Sequence, residues 1–180
     1  MFRPNQKKLI IYIILVMITL AVYGQVHQFD FVDLDDFVYV SENLNIQSGI
    51  TPSSIRWAFG TTYADFWHPL TWLSLMLDYE IYGLKAGGYH ITNVIFHILS
   101  TLLLFWFLCR MTGDVWKSAF VAALFTLHPL HVESVAWVSE RKDVLSTFFW
   151  MLTLSLYVYY TEIPNIKRYL LVFASFVLAL

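Results

Sequence analysis

The chain has 180 residues, of which 58% are hydrophobic and 18% aromatic, while only 13% carry a charge. Its mean hydropathy of +0.61 excludes a soluble globular domain, which needs a charged surface, and favours an all-α membrane protein. The formal net charge of −2 argues against a nucleic-acid partner, and the single cysteine excludes an intrachain disulfide.

An apolar run over residues 9–25 follows Arg3, Lys7 and Lys8 and predicts a first membrane-spanning helix. A secretory signal is the alternative. The run is long for the apolar part of a signal, and the sequence AVYGQ is a weak cleavage site, so the helix is favoured.

Further apolar runs predict a multi-span helical bundle. They cover residues 89–109, 115–131 and 144–160, and a last run begins near residue 169 and is still apolar at Leu180. Because a spanning helix needs about twenty residues, we expect the fifth span to be incomplete and the chain to be a fragment.

The distribution of basic residues predicts a cytoplasmic N-terminus. With that orientation, the segments 1–8, 110–117 and 161–168 lie inside and hold seven of the eleven Lys and Arg residues, as the positive-inside rule requires. Eleven of the thirteen acidic residues then lie outside. We therefore expect any chemistry at the outer face.

The predicted outer loop, residues 26–88, contains signals for two short interfacial helices. Thr51 and Pro52 suit the N-cap and first position of one helix, and Pro69 suits the start of another. Such helices lie along a membrane surface, although they can equally cover the bundle. The second helix has a predicted apolar stripe of Leu70, Leu73, Met76, Leu77 and Ile81.

Four aspartates lie within seven residues of this loop. Asp30 and Asp33 fit a solvated charge run, but Asp35 and Asp36 stand between apolar residues in VDLDDFVYV. We expect this pair to be held against the protein. Adjacent carboxylates in a partly buried place raise each other's pKa, which suits a general base.

Polar side chains also occur at membrane depth. Five of them share one face of the second span, which must turn away from lipid towards the bundle or a wet cavity. An interhelical hydrogen-bond seam is the simpler interpretation and a catalytic or metal role the alternative. The five are His90, Asn93, His97, Ser100 and Thr101.

The sequence HPLHVESVAWVSERKDVLS carries a second polar cluster after the third span. His128, His131 and Glu133 have metal-ligating side chains, but their spacing does not support a metal site. Arg141 and Lys142 suit an anionic phosphate, or alternatively ion pairs with neighbouring acids. We predict as cavity-lining residues His68, His90, Asn93, His97, His128, His131, Glu133 and Glu140.

Four stretches carry a resemblance to a known family. The chain from Phe31 onward, through FVDLDDFVYV, FWHPLTWLSLMLDYEIYGL, GYHITNVIFHILS and HPLHVESVAWVSERKDVLS, resembles the N-terminal membrane region of bacterial and archaeal TPR-repeat membrane proteins. Those proteins are related to the eukaryotic transmembrane-and-TPR O-mannosyltransferases. The resemblance implies a multi-pass protein of the prokaryotic cytoplasmic membrane with a GT-C-like bundle.

The resemblance also implies a glycosyltransferase chemistry. The donor would be a polyprenyl phosphate sugar such as a mannosyl lipid, and the acceptor a protein Ser/Thr hydroxyl at the outer face. Asp35 and Asp36 match the family's diacidic motif, and by analogy Asp35 is the catalytic base. Arg141 and Lys142 are our candidates for the lipid phosphate, a role that the resemblance does not assign. A divalent metal has no support in the sequence.

The resemblance departs at two points, since neither the family's further spans nor its tetratricopeptide repeats, and with them any repeat-bound partners, are found in these residues. We therefore expect the isolated fragment to be inactive. Two other functions stay open at this stage. One is a non-catalytic membrane anchor for a repeat scaffold, and the other is a transporter that uses the His90 and His97 stripe.

Overall fold

The computed structural model describes residues 4–180, with side chains from residue 6 onward. Arg3, one of the basic residues before the first span, lies outside that range. Residues 4–180 form nine α-helices joined by short turns, and no strand occurs among them.

Three helices are long and apolar enough to cross a membrane. The first is α1, Pro4–Tyr23, which continues as a 3₁₀ turn over Gly24–Gln28. The others are α5, Ala86–Thr112, and α8, Arg141–Glu162. Each contains one of the spans predicted from the sequence. The chain is therefore an all-α membrane protein, as its composition indicates.

The third predicted span, residues 115–131, is shorter than expected. Helix α6 covers Val115–Leu127, which at 1.5 Å per residue is about 20 Å long and less than a bilayer core. Asp114 caps its start, accepting hydrogen bonds from the Trp116 and Lys117 amides. The helix ends because His128 precedes Pro129 and takes an extended conformation, with ψ of 129°. A short helix α7, His131–Ala136, follows.

Helix α8 begins three residues before the predicted fourth span, so that Arg141 lies inside the helix. Helix α9 covers Ile166–Ala179 and is capped by the Asn165 side chain, which accepts a hydrogen bond from the Arg168 amide. It starts before the predicted fifth span and packs along α8.

The outer loop contains the two helices that the prolines predict. Helix α3, Pro52–Gly60, follows a short helix α2, Leu44–Gln47, and begins with a capping box in which Thr51 and Ser54 each bond the other's backbone amide. Helix α4 covers Pro69–Tyr82.

The apolar stripe predicted for α4 is buried only in part, since Met76 lies in the core and Leu70 and Leu73 are partly buried. Leu77 and Ile81 are exposed, whereas the buried face of the helix carries Trp72, Leu75 and the carboxylate of Asp78. The reason is that α4 buries Asp78, which pairs with Arg141 of α8, together with Trp72. Hydrophobicity alone therefore does not identify the buried face of this helix.

Besides a smaller cluster around Tyr23, Val94 and Val144, two apolar cores hold the molecule together. One lies between α1, α5 and α6, where Leu15 and Phe105 are almost fully buried. The other lies beneath the outer loop, which it attaches to the end of the bundle, and includes Tyr39, Val40, Ile46, Trp72, Leu75, Tyr89 and Val138. Burial of each such side chain contributes about 1.5–3 kcal/mol, so the outer loop is a packed cap.

Candidate functional site

The acidic motif is anchored through its second residue. Asp36 has no exposed surface, and its two carboxylate oxygens accept hydrogen bonds from the backbone amides of Val32 and Ser139, both at 2.9 Å. Val32 lies in the same loop, whereas Ser139 immediately precedes the Glu140–Arg141–Lys142 segment. One side chain therefore ties the outer loop to the start of α8.

The two aspartates have different environments. They begin a helical turn that continues as a π-helix over Phe37–Ser41, and adjacent residues on a helix point in directions about 100° apart. Asp36 consequently points inward, while Asp35 is exposed. Burial raises the pKa of the Asp36 carboxyl, and the two amide hydrogen bonds act against that shift. Asp35 is thus the carboxylate that a substrate could reach.

Arg141 is placed differently from the sequence expectation. Its side chain is fully buried, and its guanidinium donates to Asp78 Oδ2 at 2.6 Å and to the Tyr89 carbonyl at 2.9 Å. Its Nη1 and Nε groups donate to Ser74 Oγ and Asn93 Oδ1, respectively. A phosphate cannot reach a guanidinium that has no exposed surface and that already uses four of its five N–H donors. We therefore correct the predicted phosphate-binding role of Arg141 to one in which it joins α4, α5 and α8.

Lys142 remains available for an anion. Its ammonium group donates to Glu140 Oε1 at 2.8 Å and lies 5.7 Å from the centre of the Phe66 ring. The side chain is about a quarter exposed. An ammonium has three N–H donors, so the bond to Glu140 leaves donors for a ligand.

An apolar cavity of about 370 Å³ lies beside Lys142. One wall consists of residues 66–71, at the start of α4, and the other of the first turns of α8 and the end of α9. Lys142, Asp143, His68, Thr71 and Ser146 supply the polar groups, and the rest of the lining is hydrophobic, including Phe59, Phe66, Trp67, Leu70, Leu145 and Val177. Such a lining suits an apolar ligand with an anionic group at one end.

His68 belongs to an aromatic cluster at this cavity. Its ring is 5.7 Å from that of Tyr39 in a stacked arrangement and 4.6 Å from that of Trp72. Burial, and then the positive charge of Lys142, lowers the pKa of His68 to about 4, so it is neutral at physiological pH. Burial also raises the pKa of Tyr39 to about 12, with smaller contributions from Asp35 and Glu140. The acidic motif and the Lys142 segment therefore meet around one aromatic cluster.

The polar stripe of α5 faces the bundle, as its position on the helix predicts. His90, Asn93, His97, Ser100 and Thr101 are all buried. Asn93 donates to the Trp137 carbonyl at 2.9 Å, and a His97 ring nitrogen lies 3.2 Å from the Thr126 carbonyl. These contacts form the interhelical seam considered above. Of these two groups, only His97 also lines a cavity.

The remaining predicted cavity residues are dispersed. His128 and Glu133 are exposed, while His131 is partly buried with its ring centre 4.6 Å from that of Phe125. His131 lines a second, more polar cavity of about 310 Å³ between α5, α6, α7 and α8. Within residues 4–180, no three His, Cys, Asp or Glu side chains are close enough together to hold a metal ion.

Sequence reasoning missed the partners that hold this region together. Asp78 and Ser74 bind the Arg141 guanidinium, and the Ser139 amide binds Asp36. A signal existed for Asp78, since an acid in the apolar stretch LSLMLDYEIY requires a partner when it is buried. A backbone amide such as that of Ser139 carries no such signal.

Comparison with known proteins identifies relatives. Human protein O-mannosyl-transferase TMTC1 is 33% identical over 147 residues, covering 72% of this chain and 16% of the human protein. Mouse protein O-mannosyl-transferase TMTC2 is 33% identical over 109 residues, which are 53% of this chain and 13% of that protein.

A nematode relative shows the same relation. Caenorhabditis elegans protein O-mannosyl-transferase F38B6.6 is 35% identical over 112 residues, covering 61% of this chain and 16% of its own length. The chain thus spans less than a fifth of each of these relatives. No family model matches the chain, and no solved structure matches it.

Proposed function

We propose that this chain, a relative of the protein O-mannosyl-transferases TMTC1 and TMTC2, forms the donor-binding part of a membrane glycosyltransferase. The enzyme transfers a sugar, with mannose as the first candidate, from a polyprenyl phosphate donor to a protein Ser/Thr hydroxyl at the outer face. The names of the relatives support the sugar and the protein acceptor. The apolar cavity beside Lys142 supports the lipid phosphate.

One observation carries the proposal. Asp36 accepts hydrogen bonds from both Val32 and Ser139, which brings the acidic motif to the segment that contains Lys142. An anchor without catalytic function has no need for an exposed carboxylate, a partly exposed ammonium group and an apolar cavity in the same region. For this reason we favour the transferase over the repeat-scaffold anchor.

The proposed reaction uses the two exposed charges in opposite roles. Asp35 accepts the proton of the acceptor hydroxyl as that oxygen attacks the anomeric carbon, and the bond from that carbon to the phosphate oxygen breaks. The electron pair leaves with the lipid phosphate, so the sugar configuration inverts. Lys142 stabilises the departing phosphate charge, and Glu140 holds the ammonium group in place at 2.8 Å.

The test is an Asp35→Asn substitution in the full-length protein. Asparagine has the same shape but cannot act as a base, so we expect sugar transfer to fall about 10²–10⁴-fold. Because Asp35 is exposed, membrane insertion and thermal stability should not change. Transfer is measured with a radiolabelled polyprenyl phosphate mannose and a Ser/Thr-containing acceptor protein.

Asp33→Asn is the matched control, because Asp33 is also an exposed carboxylate of the same loop. It should leave the transfer rate unchanged. If Asp35→Asn retained the wild-type rate, the transferase proposal would fail and the anchor function would replace it.

A further inference from the structure

The polar cavity lies beside the apolar cavity and shares Asp143 and Ser146 of α8 with it. Its volume is about 310 Å³, within the range of small-molecule sites, and its walls come from α5, α6, α7 and the first turns of α8. Most of its lining residues carry polar side chains, among them Ser100, His131, Ser134, Asp143 and Thr147. Polar groups at membrane depth face one another or a cavity that holds water or a polar ligand.

The charge of the lining selects the class of ligand. Asp143 is an acid, and none of the described residues that line the cavity is Lys or Arg, so an anionic group is disfavoured. A metal ion is disfavoured as well, because the described residues place no three ligating side chains together. A neutral ligand rich in hydroxyl groups fits best, since carboxylate and hydroxyl side chains bond such groups.

An aromatic wall supports the same class of ligand. The Phe125 ring lies 4.6 Å from that of His131 and 5.3 Å from that of His97. The described lining residues include no Lys or Arg that could pair with Asp143. The Ser134 hydroxyl donates to Asp143 Oδ2 at 3.2 Å. Apolar ring faces beside a carboxylate and hydroxyls match a sugar, which has C–H groups on its faces and hydroxyls around its edge.

The two cavities are adjacent. Asp143 and Ser146 line both of them, and Lys142 lines the apolar one. A ligand that occupies both cavities would therefore place its apolar part in the apolar cavity, its anionic group near Lys142, and its hydroxyl-rich part in the polar cavity.

We propose that the polar cavity between α5, α6, α7 and α8 binds the sugar ring of the lipid-linked donor, with Asp143 and Ser134 bonding its hydroxyl groups. This assignment rests on the function proposed above. It makes Asp143 and Ser134 determinants of sugar recognition, separate from Lys142, which binds the phosphate.

The test compares two ligands of the full-length protein in detergent. One is a short-chain polyprenyl phosphate mannose, and the other is the same polyprenyl phosphate without the sugar. We expect Asp143→Asn to weaken binding of the mannosyl lipid about tenfold and Ser134→Ala about threefold, the effects of losing one charged and one neutral hydrogen bond. Binding of the sugar-free lipid should stay the same in Ser134→Ala and should not weaken in Asp143→Asn, because Asp143 also lines the apolar cavity and its negative charge opposes an anion there. Asp33→Asn serves as the control and should alter neither affinity.

The outcomes separate this inference from the proposed function. If the wild-type protein binds both lipids and both variants keep its preference for the mannosyl lipid, the sugar site lies elsewhere while the transferase proposal stands. If the wild-type protein binds neither lipid, both proposals fail. A selective loss of mannosyl-lipid binding in Asp143→Asn and Ser134→Ala supports the inference. Of the two substituted residues, Ser134 lines the polar cavity and not the apolar one, so Ser134→Ala tests the sugar end more directly than Asp143→Asn.

Discussion

Each charged residue near the outer end of α8 has a distinct task. Arg141 and Asp78 are buried together and join helices, Asp36 anchors a loop, and Lys142 and Asp35 keep exposed surface. Adjacent residues in sequence therefore differ in function, because a helix turns one of them inward and its neighbour outward. Within both the acidic pair and the Arg141–Lys142 pair, only one member is available to a substrate.

The buried ion pair predicts a strong and asymmetric effect on stability. Asp78→Leu leaves the Arg141 guanidinium buried without its carboxylate, and we expect it to lower the free energy of unfolding by roughly 3–5 kcal/mol. The double variant Asp78→Leu with Arg141→Met removes both charges and should recover most of that loss. Thermal unfolding in detergent measures both. A double variant no more stable than Asp78→Leu would contradict the assignment.

His68 predicts a pH dependence of stability. Its pKa falls from the ordinary value of 6.5 to about 4 in the folded protein because of burial and the nearby Lys142. Between these values the unfolded chain binds a proton that the folded protein does not, so stability decreases as the pH is lowered from about 6.5 to 4.

His68→Phe keeps the aromatic contacts and removes the titrating group, so its unfolding temperature should depend less on pH over that range. Thermal unfolding of wild-type and variant protein at several pH values provides the measurement. The exposed His128→Asn variant is the comparison and should follow the wild type. Parallel curves for wild type and His68→Phe would count against the effect of burial.

At the scale of elements, the contact between the end of α1 and the start of α5 depends on a glycine. A Cβ at Gly87 would collide with the backbone carbonyl of His27, in the 3₁₀ turn that extends α1. The two segments approach closely because α5 has no side chain at this point. That approach positions α1 beside the helix that carries the polar stripe.

We expect Gly87→Ala to destabilise the protein by roughly 1–3 kcal/mol, because two backbone segments must move apart. Gly60→Ala is the matched control. Gly60 is also helical, and a Cβ there would meet no atom within 4 Å, so this change should be neutral or slightly stabilising. The unfolding temperatures of the two variants test this prediction. Equal values would contradict the close approach of Gly87 to the His27 carbonyl.

At the scale of the whole molecule, the helices give the protein two different ends. The outer loop and the α7 segment meet at one end through the bond between Asp36 and Ser139. The turns between α5 and α6 and between α8 and α9 lie at the other end, where Arg110 forms an ion pair with Glu162. Arg110, Lys117, Lys167 and Arg168 lie in or beside these turns, and from the positive-inside rule we expect this second end to face the cytoplasm.

Cysteine labelling tests this orientation. In a Cys109→Ser background, Leu44→Cys should react with a membrane-impermeant maleimide in intact cells, whereas Met111→Cys should react only after the cells are opened. Both positions are well exposed, at 78% and 61%, so access depends on the membrane side alone. Labelling of Met111→Cys in intact cells would reverse the orientation and move the proposed site to the cytoplasm.

The sequence by itself determined the membrane class, three of the spans, the two outer-loop helices that begin at prolines and the inward face of α5. Each of these follows from composition, from local periodicity or from a capping signal, all of which act over a few neighbouring residues. Only the tertiary structure decided that Arg141 is buried against Asp78, 63 residues away, and that Asp36 bonds Ser139, 103 residues away. Packing between distant segments determines which charged groups are removed from water, and no local sequence pattern identifies the distant partner.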